Sequence, residues 1–97
     1  MAKCNYLILA NIIEGEIFEQ YMKGHLPTIA QYGGNIIFRS IQNTPILGLE
    51  NFDAIAIQEW ASEEAFNAWW NSKEYKPWAQ IRDRAAKISI IQCRLND

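Results

Sequence analysis

The stretch CNYLILANII, residues 4–13, sets the expectation for the whole fold. It is dense in Ile and Leu and has no turn residue before Glu14 and Gly15, which predicts a buried strand. Both alternating sets of side chains along residues 6–13 are mostly apolar, and so are those of a second predicted strand at residues 35–41. A sheet with one face in water would alternate apolar and polar residues instead. We therefore expect both faces of the sheet to be covered.

The segment between these two strands changes to a helical period. Apolar and aromatic side chains recur at steps of three or four over residues 16–32, with Tyr21 beside them, on one face of a helix. Gly24 and Pro27 interrupt the pattern, which predicts a kink or a restart around residues 24–26. Gly33 and Gly34 then predict the end of the helix.

The rest of the chain repeats the alternation of strands and helices. Strands are predicted at residues 52–60 and 88–95, and a short extended piece at 46–47. Ser62 predicts a helix cap, with the helix running to about residue 71, and Pro77 predicts the start of a further helix that ends near residue 86. The order strand, helix, strand, strand, helix, strand predicts a single α+β domain over residues 1–97, a ferredoxin-like βαββαβ split unit with an antiparallel sheet. Because the helices cover only one sheet face, we expect a homodimer that closes into a dimeric α+β barrel.

Composition excludes several classes of function. The 97 residues carry a net charge of −2 and 49% hydrophobic residues, which argues for one globular domain and against nucleic acid as a partner. No apolar run reaches the ~20 residues that span a bilayer, so no membrane association is expected. The two cysteines, Cys4 and Cys93, form no CxxC pair, and no export segment is evident, so we expect a cytoplasmic protein without a metal site.

Three polar residues interrupt apolar patterns and are the candidate catalytic residues. His25 is the only histidine, and it either bonds a neighbouring group as a buried structural residue or acts as a general acid or base. Arg39 stands among apolar residues of its strand, where it either pairs with Glu59 or Asp53 or clamps a carboxylate or an enolate. Asn11 breaks the first strand, where it either ties two strands together or points into a pocket.

Several motifs resemble the uncharacterised DUF1330 family over about residues 5–95. The first half carries the pattern Tyr21-x-x-x-His25-x-Pro27, then Tyr32-Gly33-Gly34 and Arg39. The second half carries Glu59-Trp60-x-Ser62-x-Glu64-Ala65, then Trp69-Trp70-Asn71-Ser72-x-Glu74-Tyr75, and then Arg82. Residue 70 is Trp where Tyr is common in the family, and the segment after Arg39 lacks the usual Gly pair.

The resemblance implies the dimeric α+β barrel superfamily, which also contains cofactor-free monooxygenases, muconolactone isomerases and haem-degrading enzymes. It favours an enzyme without a cofactor acting on a small aromatic or enolisable substrate. Substrate-binding residues would then be Tyr21, Glu59, Trp60 and Trp69. Haem is a minor alternative, because the haem-degrading relatives keep a histidine on the second helix, where this chain has none. The alternative class is a non-catalytic ligand-binding or stress-associated module, and the discriminating feature is whether His25, Arg39 and Asn11 converge on one cavity.

The predicted topology also places the two cysteines. The first and last strands of a ferredoxin-like unit are antiparallel neighbours, so Cys4 is expected opposite Cys93, and Tyr6 opposite Ile91. We expect both thiols to be reduced.

Overall fold

The computed structural model describes residues 3–48 and 50–94. Four strands and three helices follow one another as β1 (Cys4–Ile12), α1 (Gly15–Gln31), β2 (Asn35–Ser40), β3 (Ala54–Trp60), α2 (Glu63–Trp70), α3 (Lys76–Ala85) and β4 (Ala86–Arg94). The strands form an antiparallel sheet in the order β2-β3-β1-β4. This is the predicted ferredoxin-like α+β fold.

All three helices pack on one face of the sheet, which we call the helix face. On β1 the helix face carries Cys4, Tyr6, Ile8 and Ala10. The Cα atoms extend over 36 × 35 × 16 Å, and the shortest of these dimensions corresponds to one sheet and one helical layer. The largest fully buried side chains of the described residues lie in this layer and are Trp60, Trp69, Tyr75 and Ile29. The opposite side of the sheet, the outer face, carries the other alternating set, Leu7 and Leu9 on β1 among them.

Helix α1 continues through Gly24 and Pro27, so the predicted restart is wrong. Proline removes one backbone donor, but the surrounding packing holds the helix together. A tertiary contact rather than the local backbone explains the glycine at residue 24, because a Cβ atom at this position would overlap the indole ring of Trp78 on α3. The helix ends as predicted at Gly33, whose φ of +87° favours glycine.

Local signals at the other helix ends are also confirmed. The Ser62 hydroxyl accepts a hydrogen bond from the backbone N–H of Ala65 at 3.1 Å, and Pro77 lies in the first turn of α3. Residues 46–48 form a bend, not the short extended piece that was expected, and residue 95 of the predicted last strand lies outside the described residues. None of the helices in the described part of the chain combines the length and hydrophobicity that crossing a bilayer requires.

Strands β1 and β4 are antiparallel neighbours as predicted, but the register differs by one residue. Cys4 pairs with Arg94, and Cys93 pairs with Asn5, so the two cysteines point to opposite faces of the sheet. Cys4 is buried on the helix face and Cys93 is exposed, and both thiols are free. The expected direct pairing of Cys4 with Cys93 is therefore wrong by one residue, although the two cysteines lie at adjacent positions of neighbouring strands.

Candidate functional site

A cavity of about 60 Å³ lies between α1 and the helix face of the sheet. Most of its lining is aliphatic or aromatic, from Ile8, Phe18, Met22, Leu26, Ile36 and Ile88 among others. The polar side chains that line it are Tyr21, His25, Arg39 and Gln58. A mainly apolar lining with a few polar groups is typical of small-molecule sites, although such sites usually enclose several times this volume.

Helix α1 holds His25 one turn after Tyr21. The Nδ1 atom of His25 lies 2.7 Å from the backbone oxygen of Tyr21, and the two rings stack at 4.0 Å between centroids with 16° between their planes. A carbonyl oxygen only accepts, so Nδ1 carries the proton of the neutral ring and Nε2 carries the lone pair. His25 therefore offers its cavity an acceptor of hydrogen bonds and of protons.

Burial keeps this imidazole neutral. His25 is 6% exposed, and its pKa is lowered from 6.5 to about 4, mainly by burial; the bond to the Tyr21 carbonyl raises the pKa and the nearby Arg39 charge lowers it, each by less than burial does. At neutral pH the ring is thus an unprotonated base.

A β-bulge in β2 directs Arg39 to the cavity. The register between β2 and β3 shifts between Ile36 and Phe38, so Ile36 pairs with Gln58 but Arg39 pairs with Ala56. Without the extra residue, side chains 36 and 39 would point to opposite faces, whereas the bulge brings both to the helix face. Arg39 remains exposed there. The expected ion pairs do not form, because Glu59 lies 3.6 Å from Lys3 and Asp53 accepts from the backbone N–H of Ile12 at 2.8 Å.

Gln58 is a cavity residue that the sequence reasoning missed. It is 4% exposed, and its Oε1 accepts from the indole N–H of Trp60 at 3.0 Å. The indole can only donate, so this bond fixes the orientation of the amide and leaves Nε2 as a donor. The sequence signal that could have identified Gln58 is a polar residue in the middle of an apolar strand, which is the same pattern that identified Asn11.

One family model matches nearly the whole chain. The domain of unknown function DUF1330 matches residues 5–94. The chain belongs to the DUF1330 family. The family predicted from the motifs around Tyr21-x-x-x-His25 and Trp69-Trp70-Asn71-Ser72 is therefore confirmed, whereas no curated protein matches the sequence.

Solved structures show which fold this DUF1330 protein shares. A protein of unknown function from Rhodopseudomonas palustris has a TM-score of 0.86 at 18% identity, over 99% of this chain and 84% of that one. SnoaB, a cofactor-independent oxygenase from Streptomyces nogalater, has a TM-score of 0.75 at 10% identity, over 100% of this chain and 96% of SnoaB. A dimeric ferredoxin-like protein of unknown function from Thermobifida fusca has a TM-score of 0.63 at 16% identity, over 97% and 92% of the two chains. At such identities these likenesses establish the ferredoxin-like α+β fold of this chain.

The DUF1330 fold brings together some of the candidate residues and separates others. His25, Arg39, Tyr21 and Trp69 line the cavity. Trp69 is 1% exposed and its neighbour Trp70 is 37% exposed, as expected for adjacent helix positions. Trp69 also donates its indole N–H to the hydroxyl of Thr28, one turn after His25, at 2.9 Å.

Three candidates lie away from the cavity. Asn11 points to the outer face, where its Oδ1 accepts from the backbone N–H of Asp53 at 3.2 Å, so it ties two chain segments together. Glu59 is on the outer face too. Trp60 is on the helix face but completely buried in the core, outside the cavity lining. Of the three predicted catalytic residues, the structure therefore brings His25 and Arg39 together and leaves Asn11 on the other side of the sheet.

Proposed function

We propose that this protein is a homodimeric enzyme without a bound cofactor that removes a proton from a small, mainly apolar substrate in the α1 cavity. The observation that carries the proposal is a neutral His25, with its lone pair on Nε2, in the same cavity as the Arg39 cation and the Gln58 amide donor. The apolar lining matches an aromatic or enolisable substrate in polarity. The likeness in fold to a cofactor-independent oxygenase supports the same class.

Each polar group of the cavity has a separate role in the proposed proton abstraction. The proton passes from the substrate to Nε2, and the Tyr21 carbonyl stabilises the resulting imidazolium through its bond from Nδ1. The substrate keeps the electron pair as an enolate or phenolate, and Arg39 and Gln58 would stabilise this anion as hydrogen-bond donors. The anion raises the pKa of the adjacent imidazole as it forms, offsetting the effect of burial. An isomerase would return the proton to another atom, whereas a monooxygenase would use dissolved dioxygen as the oxidant.

The decisive experiment is hydrogen–deuterium exchange of the substrate in D₂O. Thermal shift on the wild type would first select ligands from a panel of small enolisable ketones and phenols, and NMR would then follow exchange of the acidic C–H of each enolisable hit. We expect His25→Gln to slow the exchange by about a hundredfold or more while binding persists, because the general base is lost. We expect Arg39→Gln to weaken binding of the phenols, whose phenolate form resembles an enolate. Lys23→Gln, an exposed change on the same helix, is the matched control.

Exchange at equal rates in the wild type and in His25→Gln would contradict the enzyme proposal. Binding without exchange by any variant would favour the other class, the non-catalytic ligand-binding or stress-associated module.

The outer face of the sheet supports the homodimer. Its centre is apolar, with Leu7, Leu9, Ile55 and Ile57 on the two central strands and with the half-exposed Phe38 and Ile91 on the flanking strands. No helix covers these side chains in the described part of the chain, and an uncovered apolar patch of this kind marks an interface.

A single charge in the middle of the outer face is expected to prevent dimerisation. Ile57 lies between Leu7 and Phe38 across the strands. We expect Ile57→Arg to give a monomer at micromolar concentration in analytical ultracentrifugation, because the interface would bury an unpaired guanidinium. Ala30→Arg, an exposed change on the helical layer, should leave the dimer intact. A monomeric wild type, or a dimeric Ile57→Arg, would contradict the proposed interface.

We place the proposed enzyme in the cytoplasm, as its cysteine usage predicts. Cys4 and Cys93 are both free, and Cys93 is exposed. A reducing compartment keeps such thiols reduced.

A further inference from the structure

A chain of hydrogen bonds runs from α3 to the residue that holds His25. Nη1 of Arg82 lies 3.3 Å from the hydroxyl oxygen of Tyr75, which in turn lies 2.6 Å from the hydroxyl oxygen of Tyr21. The side chain of Arg82 is 19% exposed, and both tyrosines are buried. None of these contacts takes part in the proton transfer proposed above.

The guanidinium fixes the direction of the first bond in this chain. Arginine has donors and no acceptor, so the Tyr75 oxygen accepts from Arg82. A hydroxyl oxygen has two lone pairs, so the bond from Arg82 leaves Tyr75 able either to donate to Tyr21 or to accept from it across the 2.6 Å contact. Burial, together with the neighbouring Tyr75 hydroxyl, raises the pKa of Tyr21 well above its usual range, so Tyr21 remains a neutral phenol in either arrangement of this bond.

Tyr21 in turn constrains His25 in two ways. Its ring stacks on the imidazole and sets the plane of that ring, and its carbonyl oxygen accepts from Nδ1 and selects the tautomer. We propose that Arg82 is a positioning residue of the site: through Tyr75 it fixes the ring of Tyr21, and through Tyr21 it fixes the plane and tautomer of His25. The inference rests on the proposed function in that His25 is taken as the base.

Two other contacts of Arg82 have to be separated from this role. Its guanidinium carbon lies 4.9 Å from the centroid of the Trp70 ring, and its Nε lies 3.3 Å from Oδ1 of the exposed Asp83. Both contacts could stabilise α3 without any effect on His25. The test therefore has to distinguish an effect that passes through the Tyr75 hydroxyl from one that does not.

His25 provides a direct readout because the sequence contains one histidine. Long-range ¹H–¹⁵N NMR of the ligand-free protein reports its tautomer and its titration midpoint. The groups around the imidazole are Tyr21 on α1, Arg39 on β2, Gln58 on β3 and Tyr75 before α3. We expect Arg82→Met to raise the midpoint by about half a pH unit or more and to mix the two tautomers, because a loosened stack admits water to the ring.

Three variants complete the test. Arg82→Lys keeps a donor for Tyr75 and should resemble the wild type, whereas Tyr75→Phe breaks the chain and should shift His25 as Arg82→Met does. Arg84→Met removes the same charge from an exposed position on the same helix and should leave His25 unchanged.

The deciding comparison is made in the Tyr75→Phe background, where adding Arg82→Met should cause no further shift of His25. If Arg82→Met shifts the titration midpoint of His25 equally with and without the Tyr75 hydroxyl, the inference is overturned in favour of a direct charge effect or of packing on Trp70. An unmoved His25 in both Arg82→Met and Tyr75→Phe would overturn it as well. These spectra need no ligand, so their outcome is independent of the substrate-exchange experiment. The role of Arg82 can be refuted while substrate exchange still depends on His25, and it can be confirmed even if no substrate exchange is found.

Discussion

Replacing Gly34 by alanine is expected to lower the free energy of unfolding by about 3 kcal/mol, a large effect for one methyl group. A Cβ atom at residue 34 would lie 2.6–2.7 Å from three carbons of the Trp60 indole. Trp60 is completely buried and its N–H is bonded to Gln58, so the ring has no space into which to move. The added methyl group therefore forces apart α1, β2 and β3.

Chemical denaturation of Gly34→Ala and Gly15→Ala would measure this effect against a matched control. Gly15 is the first residue of α1, and a Cβ atom there would meet nothing within 4 Å. Because alanine favours helix, Gly15→Ala should be neutral or slightly stabilising. The cost of Gly34→Ala should also shrink in a Trp60→Phe background, where the ring is smaller. Similar stabilities for the two glycine variants would contradict the tight contact described here.

Acidification from pH 6.5 to pH 4 is expected to remove about 3 kcal/mol of stability through His25 alone. The pKa of His25 falls from 6.5 to about 4 on folding, because burial disfavours the charged ring. The unfolded chain thus binds a proton over this pH range and the folded chain does not. Stability is complete above pH 6.5, decreases as the pH falls, and levels off below pH 4. Each pKa unit corresponds to about 1.4 kcal/mol.

Denaturation of the wild type and of His25→Gln across this pH range would isolate the contribution of the imidazole. Carboxylates titrate in both proteins, so the difference between the two curves belongs to residue 25. We expect the wild type to lose stability more steeply than the variant between pH 6.5 and pH 4, whatever the absolute stability of the variant. Parallel curves would show that the ring is solvated in the folded protein. NMR titration of the single histidine would locate its midpoint independently.

Much of the fold could be predicted from the sequence because its signals are local. The alternation of side chains along residues 4–13 and the helical period of residues 16–32 depend on neighbours within one strand or one turn. The Ser62 cap and the end of α1 at Gly33 likewise depend on backbone geometry within a few residues. The cavity residues His25 and Arg39 were found because each interrupts such a pattern.

The site needed the tertiary structure, because its geometry depends on pairing between distant segments. Asn11 and Gln58 both interrupt an apolar strand, yet one faces away from the cavity and the other lines it. The pairing of β1 with β4 differs by one residue from the expected register, and a shift of one residue moves a side chain to the other face of its strand. Cys4 and Cys93 therefore lie on opposite faces of the sheet. The bulge before Phe38 directs Arg39 to the cavity by the same rule.

The sequence by itself determined the type and order of the main elements and the apolar character of both sheet faces, because periodicity and capping act within a few residues. Only the tertiary structure decided that His25, Arg39 and Gln58 share one cavity and that Arg82 reaches Tyr21 through Tyr75. These contacts join residues far apart in the chain. They are selected by side-chain packing and strand register, which no local pattern in the sequence encodes.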